Sequence, residues 1–203
     1  MNKELLQKCT YYNFEKLFAK KGYAYFTKGY YNLNIIGIRN KGNKVTNQFD
    51  DALVVIYNTP ARPKTRQVYA ITTQPGLKSM LNPVNDKGAA ILAPGQYRGT
   101  WKLGLHKGKY TALVQRKPVK VFRDSNRDEV YDCEPKTIDN GVFGINIHKA
   151  GVNSWQVDNW SAGCQVFKRN ADFDAFIRFC KQQVENGYGE TFTYTLLNEE
   201  DLV

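Results

Sequence analysis

No apolar run in this 203-residue chain approaches the ~20 residues that a membrane-spanning helix needs, so no membrane span is expected. The opening segment, Met1-Asn-Lys-Glu-Leu-Leu-Gln-Lys-Cys9, is charged and amphipathic. It has neither the apolar stretch nor the small-residue cleavage site of a signal peptide, so cytoplasmic synthesis is the expectation. With only two histidines, a His-rich metal centre is excluded. The four cysteines, Cys9, Cys133, Cys164 and Cys180, form no C-x-x-C pair and no zinc-finger spacing. A disulfide framework is not expected either in a chain of this length without a signal peptide. No internal repeat, low-complexity linker or long block of one charge interrupts the sequence.

What is abundant is positive charge, spread thinly. The formal net charge is +10, from 29 Lys and Arg against 19 Asp and Glu. Such a balance favours anionic partners: nucleic acid, anionic lipid or a charged cell envelope. The cations are scattered, however, as Lys20-Lys21, Lys41 and Lys44, Arg62 to Arg66, Lys107 and Lys109, and Arg116 to Lys120. A basic soluble surface is the simpler reading. No helix-turn-helix, zinc finger or aromatic RNA-binding signature accompanies the charge, so no nucleic-acid partner is expected.

Hydrophobic residues make up 42% of the chain and support a packed core. Leu5, Leu6, Cys9, Tyr12, Leu17 and Phe18 recur at helical spacing and predict a helix over residues 3–21, stopped by Gly22. Short β-branched or aromatic runs follow at 23–26, 33–38, 52–57 and 67–73, separated by Gly, Asn, Asp and Pro clusters. A hairpin is predicted between 100–105 and 110–115, with His106-Lys-Gly-Lys109 as its turn, then strands at 118–123 and 141–148. Phe173, Phe176, Ile177, Cys180 and Val184 share one helical face, with Asn170 or Asp172 as cap and Gly187 as terminator. A last strand spans 191–197. The expected fold class is mainly β with flanking helices (α+β): an N-terminal helical segment, 1–22, packed on a single domain, 23–203.

Cys9 and Cys180 fall on apolar faces and read as core. Cys164 differs. It closes Asn159-Trp-Ser161-Ala-Gly163-Cys164-Gln165, sixteen residues after His148 at the end of Gly141-Val-Phe-Gly-Ile-Asn-Ile-His148. A thiol becomes a nucleophile near neutral pH with a base beside it and backbone donors to hold an oxyanion. Cys164, His148 and the Gly163–Cys164 amides fit those parts, and an imidazolium beside the thiol would lower its pKa further.

This segment resembles the catalytic signature of the L,D-transpeptidase family, in its divergent phage and bacterial branch that pairs an Asn-x-His strand with Ser-x-Gly-Cys-Gln. The resemblance is strong over residues 141–167 and extends loosely upstream to Pro94-Gly-Gln-Tyr97 and Gly104-Leu-His-Lys-Gly108. It implies an L,D-transpeptidase-like β-sandwich or barrel, no cofactor, and peptidoglycan stem peptides as partners. The cysteine attacks the carbonyl of an L,D peptide bond, and the thioester passes to an amine or to water. Carried over, Cys164 is the nucleophile, His148 its base, Ser161 the group orienting the histidine, and Gly163 an oxyanion donor with Cys164. Two positions depart from better-studied members: Ala162 stands where His is common, and Gln165 where Arg is common. Those departures bear on substrate recognition, for which Gln165, His106, Trp155 and Trp160 are the candidates.

Other features have plainer explanations. Beside Gly108, His106 fits a hairpin turn as well as a substrate contact. Tyr97 and Trp101 fit a core as well as a cleft. Asp124-Ser-Asn126-Arg-Asp128-Glu-Val-Tyr-Asp132 alternates oxygen ligands like a calcium loop, yet lacks its sixth-position glycine and twelfth-position glutamate, so a polar turn braced by Asx bonds is preferred. The expected function is a cysteine acyl-transfer enzyme of the cell wall, delivered to the envelope, with virion association as one route. The alternative is a non-catalytic wall-binding or virion structural module that keeps the fold. Oligomeric state and the choice between transpeptidation and hydrolysis are left open by the sequence.

Overall fold

The computed structural model describes residues 2–202. Met1 and Val203, the outer limits of the expected ranges 1–22 and 23–203, lie outside them. Instead of one helix over 3–21 there are two, α1 (Lys3–Tyr11) and α2 (Phe14–Lys21). The break is local chemistry. The Asn2 side chain accepts from Leu5 N at 3.0 Å, and the Asn13 side chain accepts from Lys16 N at 3.4 Å, so each helix has its own cap. Gly22, at φ +68°, ends α2 in the left-handed conformation that glycine tolerates.

Strands β1 (Asn34–Arg39), β2 (Asp51–Tyr57) and β3 (Thr65–Thr72) follow, then a short α3 (Leu77–Leu81) and β4 (Ala89–Leu92). The 23–26 segment is not a strand. Side-chain amides satisfy its backbone instead: Gln96 exchanges two bonds with Ala24, and Asn34 exchanges two with Phe26. Next come β5 (Gly95–His106), β6 (Tyr110–Gln115), β7 (Val119–Asp124), β8 (Ile138–Gly141), β9 (Ile147–Lys149), β10 (Gln165–Phe167), α4 (Asn170–Glu185) and β11 (Thr191–Asn198). The hairpin turn is shorter than expected, Lys107–Lys109, so His106 ends β5. The strand expected over 141–148 is interrupted: Gly144 adopts φ +75°, and residues 142–146 form a loop between β8 and β9.

Eight strands close a barrel in the order β1-β11-β5-β6-β9-β10-β3-β2, and β4-β7-β8 form a separate antiparallel sheet. The molecule is thus mainly β with flanking helices. Ile35, Leu53, Val55, Ile71, Trp101, Leu113, Ile147, Phe167, Tyr194 and Leu196 share one core, to which α4 contributes Phe173, Phe176, Ile177 and Cys180. Alternate residues of β1 and β2, namely Ile36, Ile38, Ala52, Val54 and Ile56, pack instead with Leu5, Cys9, Phe14, Leu17 and Phe18 of α1 and α2. Burial on both faces explains why β1 and β2 read as continuous apolar runs. The small sheet joins the main core through Ala90, Leu92, Val119 and Val121. Among the described residues, no helix is long and apolar enough to cross a membrane.

The acidic 124–132 segment is a braced polar turn. The Asn126 amide donates to Asp128 and Asp132, and the backbone N–H groups of Val130 and Asp132 donate to Asp128 and Asp124. Among the described residues, no group of three or more His, Cys, Asp or Glu is placed to hold a metal.

Candidate active site

Parallel pairing of β9 with β10 sets the site. The register aligns Gln165 with Ile147 and Val166 with His148. Side chains alternate along strands, and Ile147 and Phe167 face the core. Asn146, His148, Cys164 and Val166 therefore share the opposite face, where Cys164 and Val166 pack with Phe49, Ala150 and Val157.

Both arms around the thiol are fixed. In the turn, the Ser161 hydroxyl donates to Cys164 O at 2.8 Å and accepts from Gly163 N at 3.2 Å. Ser161 thus braces the turn and makes no bond to the histidine, unlike the role implied by the resemblance. The Gly163 N–H is likewise engaged, whereas the Cys164 N–H has no acceptor among the described residues. Gly163 is required twice over: its φ is +123°, and a Cβ there would lie 2.4 Å from Ala90 O of β4. The second arm is the 142–146 loop. Gln115 holds it, accepting from Phe143 N and Ile145 N and donating to Gly141 O. The Trp101 indole, buried in the core, donates to Ile145 O at 2.7 Å. The Cys164 thiol lies between the arms, donating to Gly144 O and accepting from Asn146 N, each at 3.4 Å.

His148 is buried, at 4% exposure. Its Nδ1 lies 2.9 Å from Lys149 O, a pure acceptor, so Nδ1 carries the proton and Nε2 is the basic nitrogen. The Tyr110 hydroxyl donates to the same carbonyl at 3.3 Å. Burial first, then His106 and Lys107, pushes His148 down to about 4, against the opposing pull of the Lys149 carbonyl. Burial pushes the Cys164 thiol up, although the Asn146 N–H and Lys107 pull the other way. The pair therefore rests near neutral pH as thiol and uncharged imidazole, without the imidazolium that would lower the thiol pKa. No direct bond joins Sγ to His148 at rest; the thiol turns to Gly144 O instead.

The substrate-side candidates divide. His106 stacks on His148 with ring centroids 4.1 Å apart and an interplanar angle of 18°. Gln165 is fully buried: its amide accepts from Tyr194 Oη at 2.8 Å and donates to Gly163 O at 3.2 Å, so it supports the turn from below and cannot contact a substrate. Trp155 is exposed, with the Lys168 ammonium 4.6 Å from its ring centroid, and Trp160 is half exposed near Gly151. Neither indole stacks on the Cys164–His148 pair. Tyr97 and Trp101 are core and near-core residues in edge-to-face contact.

Sequence reasoning passed over three contributors. Asn146 bonds the thiol through its backbone and His106 through its amide. Asn47 clamps the approach to the turn, bonding Leu77 N, Asp158 N and the Asp158 carboxylate. Arg123 borders a hollow of about 460 Å³ beside the turn, with Phe143, Val142, Ala90 and Ala162. Its guanidinium lies 4.5 Å from the Phe143 ring centroid and pairs with Asp139 at 3.1 Å. Asn146 was signalled by the Asn-x-His alternation, which puts both side chains on one face. Comparison with protein-family models, with curated proteins and with solved structures finds no match for this chain.

Proposed function

We propose that the protein is a cysteine acyl-transfer enzyme acting on peptidoglycan stem peptides, with Cys164 as nucleophile and His148 as general base. The observation that carries this reading is the position of Cys164: on a glycine turn held from two sides, on the same sheet face as a histidine whose free Nε2 is fixed by a backbone carbonyl. The substrate class rests on the resemblance of residues 141–167 to L,D-transpeptidases. The hollow bounded by Ala162 and Phe143 flanks both arms that hold the thiol and is suited to the acyl donor.

In this mechanism the thiol rotates from Gly144 O toward His148. As Sγ attacks the scissile carbonyl, Nε2 takes its proton, and the Cys164 N–H donates to the developing oxyanion. The C–N bond breaks, His148 returns the proton to the departing amine, and a thioester remains on Sγ. An amine or a water then attacks the thioester, giving its proton to His148, and the thiolate leaves and is reprotonated. Because the resting pair is uncharged, the base acts during attack rather than by storing a thiolate beforehand.

The test is incubation of purified peptidoglycan with the wild-type protein and with Cys164→Ala, followed by mass spectrometry of the muropeptides. New cross-links identify transpeptidation, and shortened stems identify hydrolysis. Identical muropeptides from both proteins refute the enzymatic reading; sedimentation of both with intact sacculi then favours the wall-binding module.

A further inference from the structure

His106 was a candidate for substrate contact, yet its ring is buried against Asn146 and His148. The chain of constraint starts from a backbone donor. Gln115 N donates to Asn146 Oδ1 at 2.9 Å, which fixes the amide orientation. Asn146 Nδ2 must then face His106 Nδ1, 3.2 Å away, as a donor. His106 Nδ1 is consequently an acceptor, and the His106 proton sits on Nε2. On the other ring, Lys149 O demands the proton on Nδ1 of His148. The two stacked rings are thus locked in opposite tautomers, each by a group that cannot change its role.

We propose that His106 is a positioning residue acting through His148: held by Asn146, its ring stacks on the His148 imidazole and fixes its plane, with Nε2 left for the Cys164 thiol. The arrangement resists charge on either ring. A proton on His106 Nδ1 would oppose the Asn146 amide donor, and two cations 4.1 Å apart would repel. The remaining ionisable neighbours do not supply a counter-anion. Lys107 follows His106 in the turn, Tyr110 lies 3.5 Å from His148 Nδ1, and Cys164 is a thiol. Lys149 pairs its ammonium with Asp174 of α4 at 3.3 Å. Burial and Lys107 also push His106 itself below the usual imidazole range.

The sequence makes the test direct, because the chain has two histidines. Nitrogen-15 spectra of the imidazoles contain two ring systems, assigned by one variant, and they report tautomer and protonation without any substrate. The wild type is expected to show one Nε2–H and one Nδ1–H ring at pH 7. In His106→Phe, which keeps a stacking ring but cannot titrate, the His148 midpoint is expected to rise by on the order of 1 pH unit. Asn146→Ala is expected to release His106 into mixed tautomers and to raise the His106 midpoint. If the enzyme is active on peptidoglycan, the acid limb of kcat/KM should move upward with the His148 midpoint. Two wild-type rings in the same tautomer, or a His148 midpoint unmoved in His106→Phe, overturn the proposal. The spectra of the wild type decide the tautomers even where a variant fails to fold. They do so independently of the muropeptide experiment, so failure of the one does not imply failure of the other.

Discussion

Replacing Gln165 with leucine separates a surface substrate contact from a buried brace. The change keeps the side-chain volume close but removes one acceptor and two donors from a site without water access. Tyr194 Oη, fully buried, loses the acceptor it reaches at 2.8 Å, and Gly163 O loses its donor at 3.2 Å. Thr73 O loses only a long contact, because Arg39 still donates to it at 3.1 Å. Each orphaned buried group costs about 1–3 kcal/mol, so Gln165→Leu should destabilise the protein by roughly 2–6 kcal/mol. In a domain of this size the melting temperature should fall by roughly 5–15 °C. Tyr194→Phe alone strands the Gln165 oxygen and should cost about 1–3 kcal/mol. The double variant removes donor and acceptor together, so it should recover about 1–3 kcal/mol relative to the sum of the singles. Urea unfolding of the four proteins measures the cycle. A Gln165→Leu protein of wild-type stability, or strictly additive effects, would refute the buried-brace reasoning. A raised KM with unchanged stability would restore the substrate role.

Three further outcomes are expected. Below pH 6.5 an unfolded histidine binds a proton that folded His148, pushed down to about 4, refuses. His148 therefore contributes a loss of about 3 kcal/mol as the pH falls from about 6.5 to 4, complete below both values and absent above 6.5; buried Asp51, pushed up to about 6, contributes with the opposite sign, so the difference between urea titrations of the wild type and of His148→Gln across that range isolates the histidine. Gly163→Ala should destabilise by about 1–3 kcal/mol from backbone strain alone. It must also push Ala90 O away, so muropeptide conversion should fall further than stability loss explains, read by paired melting and turnover measurements. Ser161→Ala should lower stability by about 1–2 kcal/mol for two lost bonds and reduce turnover. The histidine nitrogen-15 spectra should stay unchanged, whereas a Ser161–His148 bond would make them move.

Much of this fold was readable from the residues. The apolar face of α4 and the core placement of Cys9 and Cys180 follow from helical spacing, and the continuous apolar runs of β1 and β2 mark strands buried on both sides. The break between α1 and α2 was also available, since Asn13 is a good cap, but the apolar spacing bridges it. Barrel closure was not readable from residue patterns, and only the resemblance pointed to a sandwich or barrel. Closure depends on the parallel pairing of β1 with β11, residues more than 150 positions apart, and no local pattern encodes that choice. At the site, the thiol and its histidine stood out because glycine and cysteine sit together. The roles around them did not, because they depend on which face each residue takes. Gln165 follows an outward Cys164 and therefore points inward, and His106 meets His148 only through the β5–β6–β9 register.

The parallel alignment of β9 and β10 has a consequence for how such chains are recognised. Strands running the same way require the polypeptide to travel back past itself, and residues 150–164 make that journey. The return path is tied down at its far part by Asn47 and by Gly76, whose N–H donates to Ser161 O. The portion before those ties, 151–156, is bridged in turn to Arg169 through Asn153 and to Gln48 through Gln156. Extra residues looped out between those ties would change the count between His148 and Cys164 without requiring either atom to move. The interval of sixteen therefore measures the route, not the separation of the thiol and the imidazole. A search keyed to that interval would discard chains with the same chemistry and a longer detour.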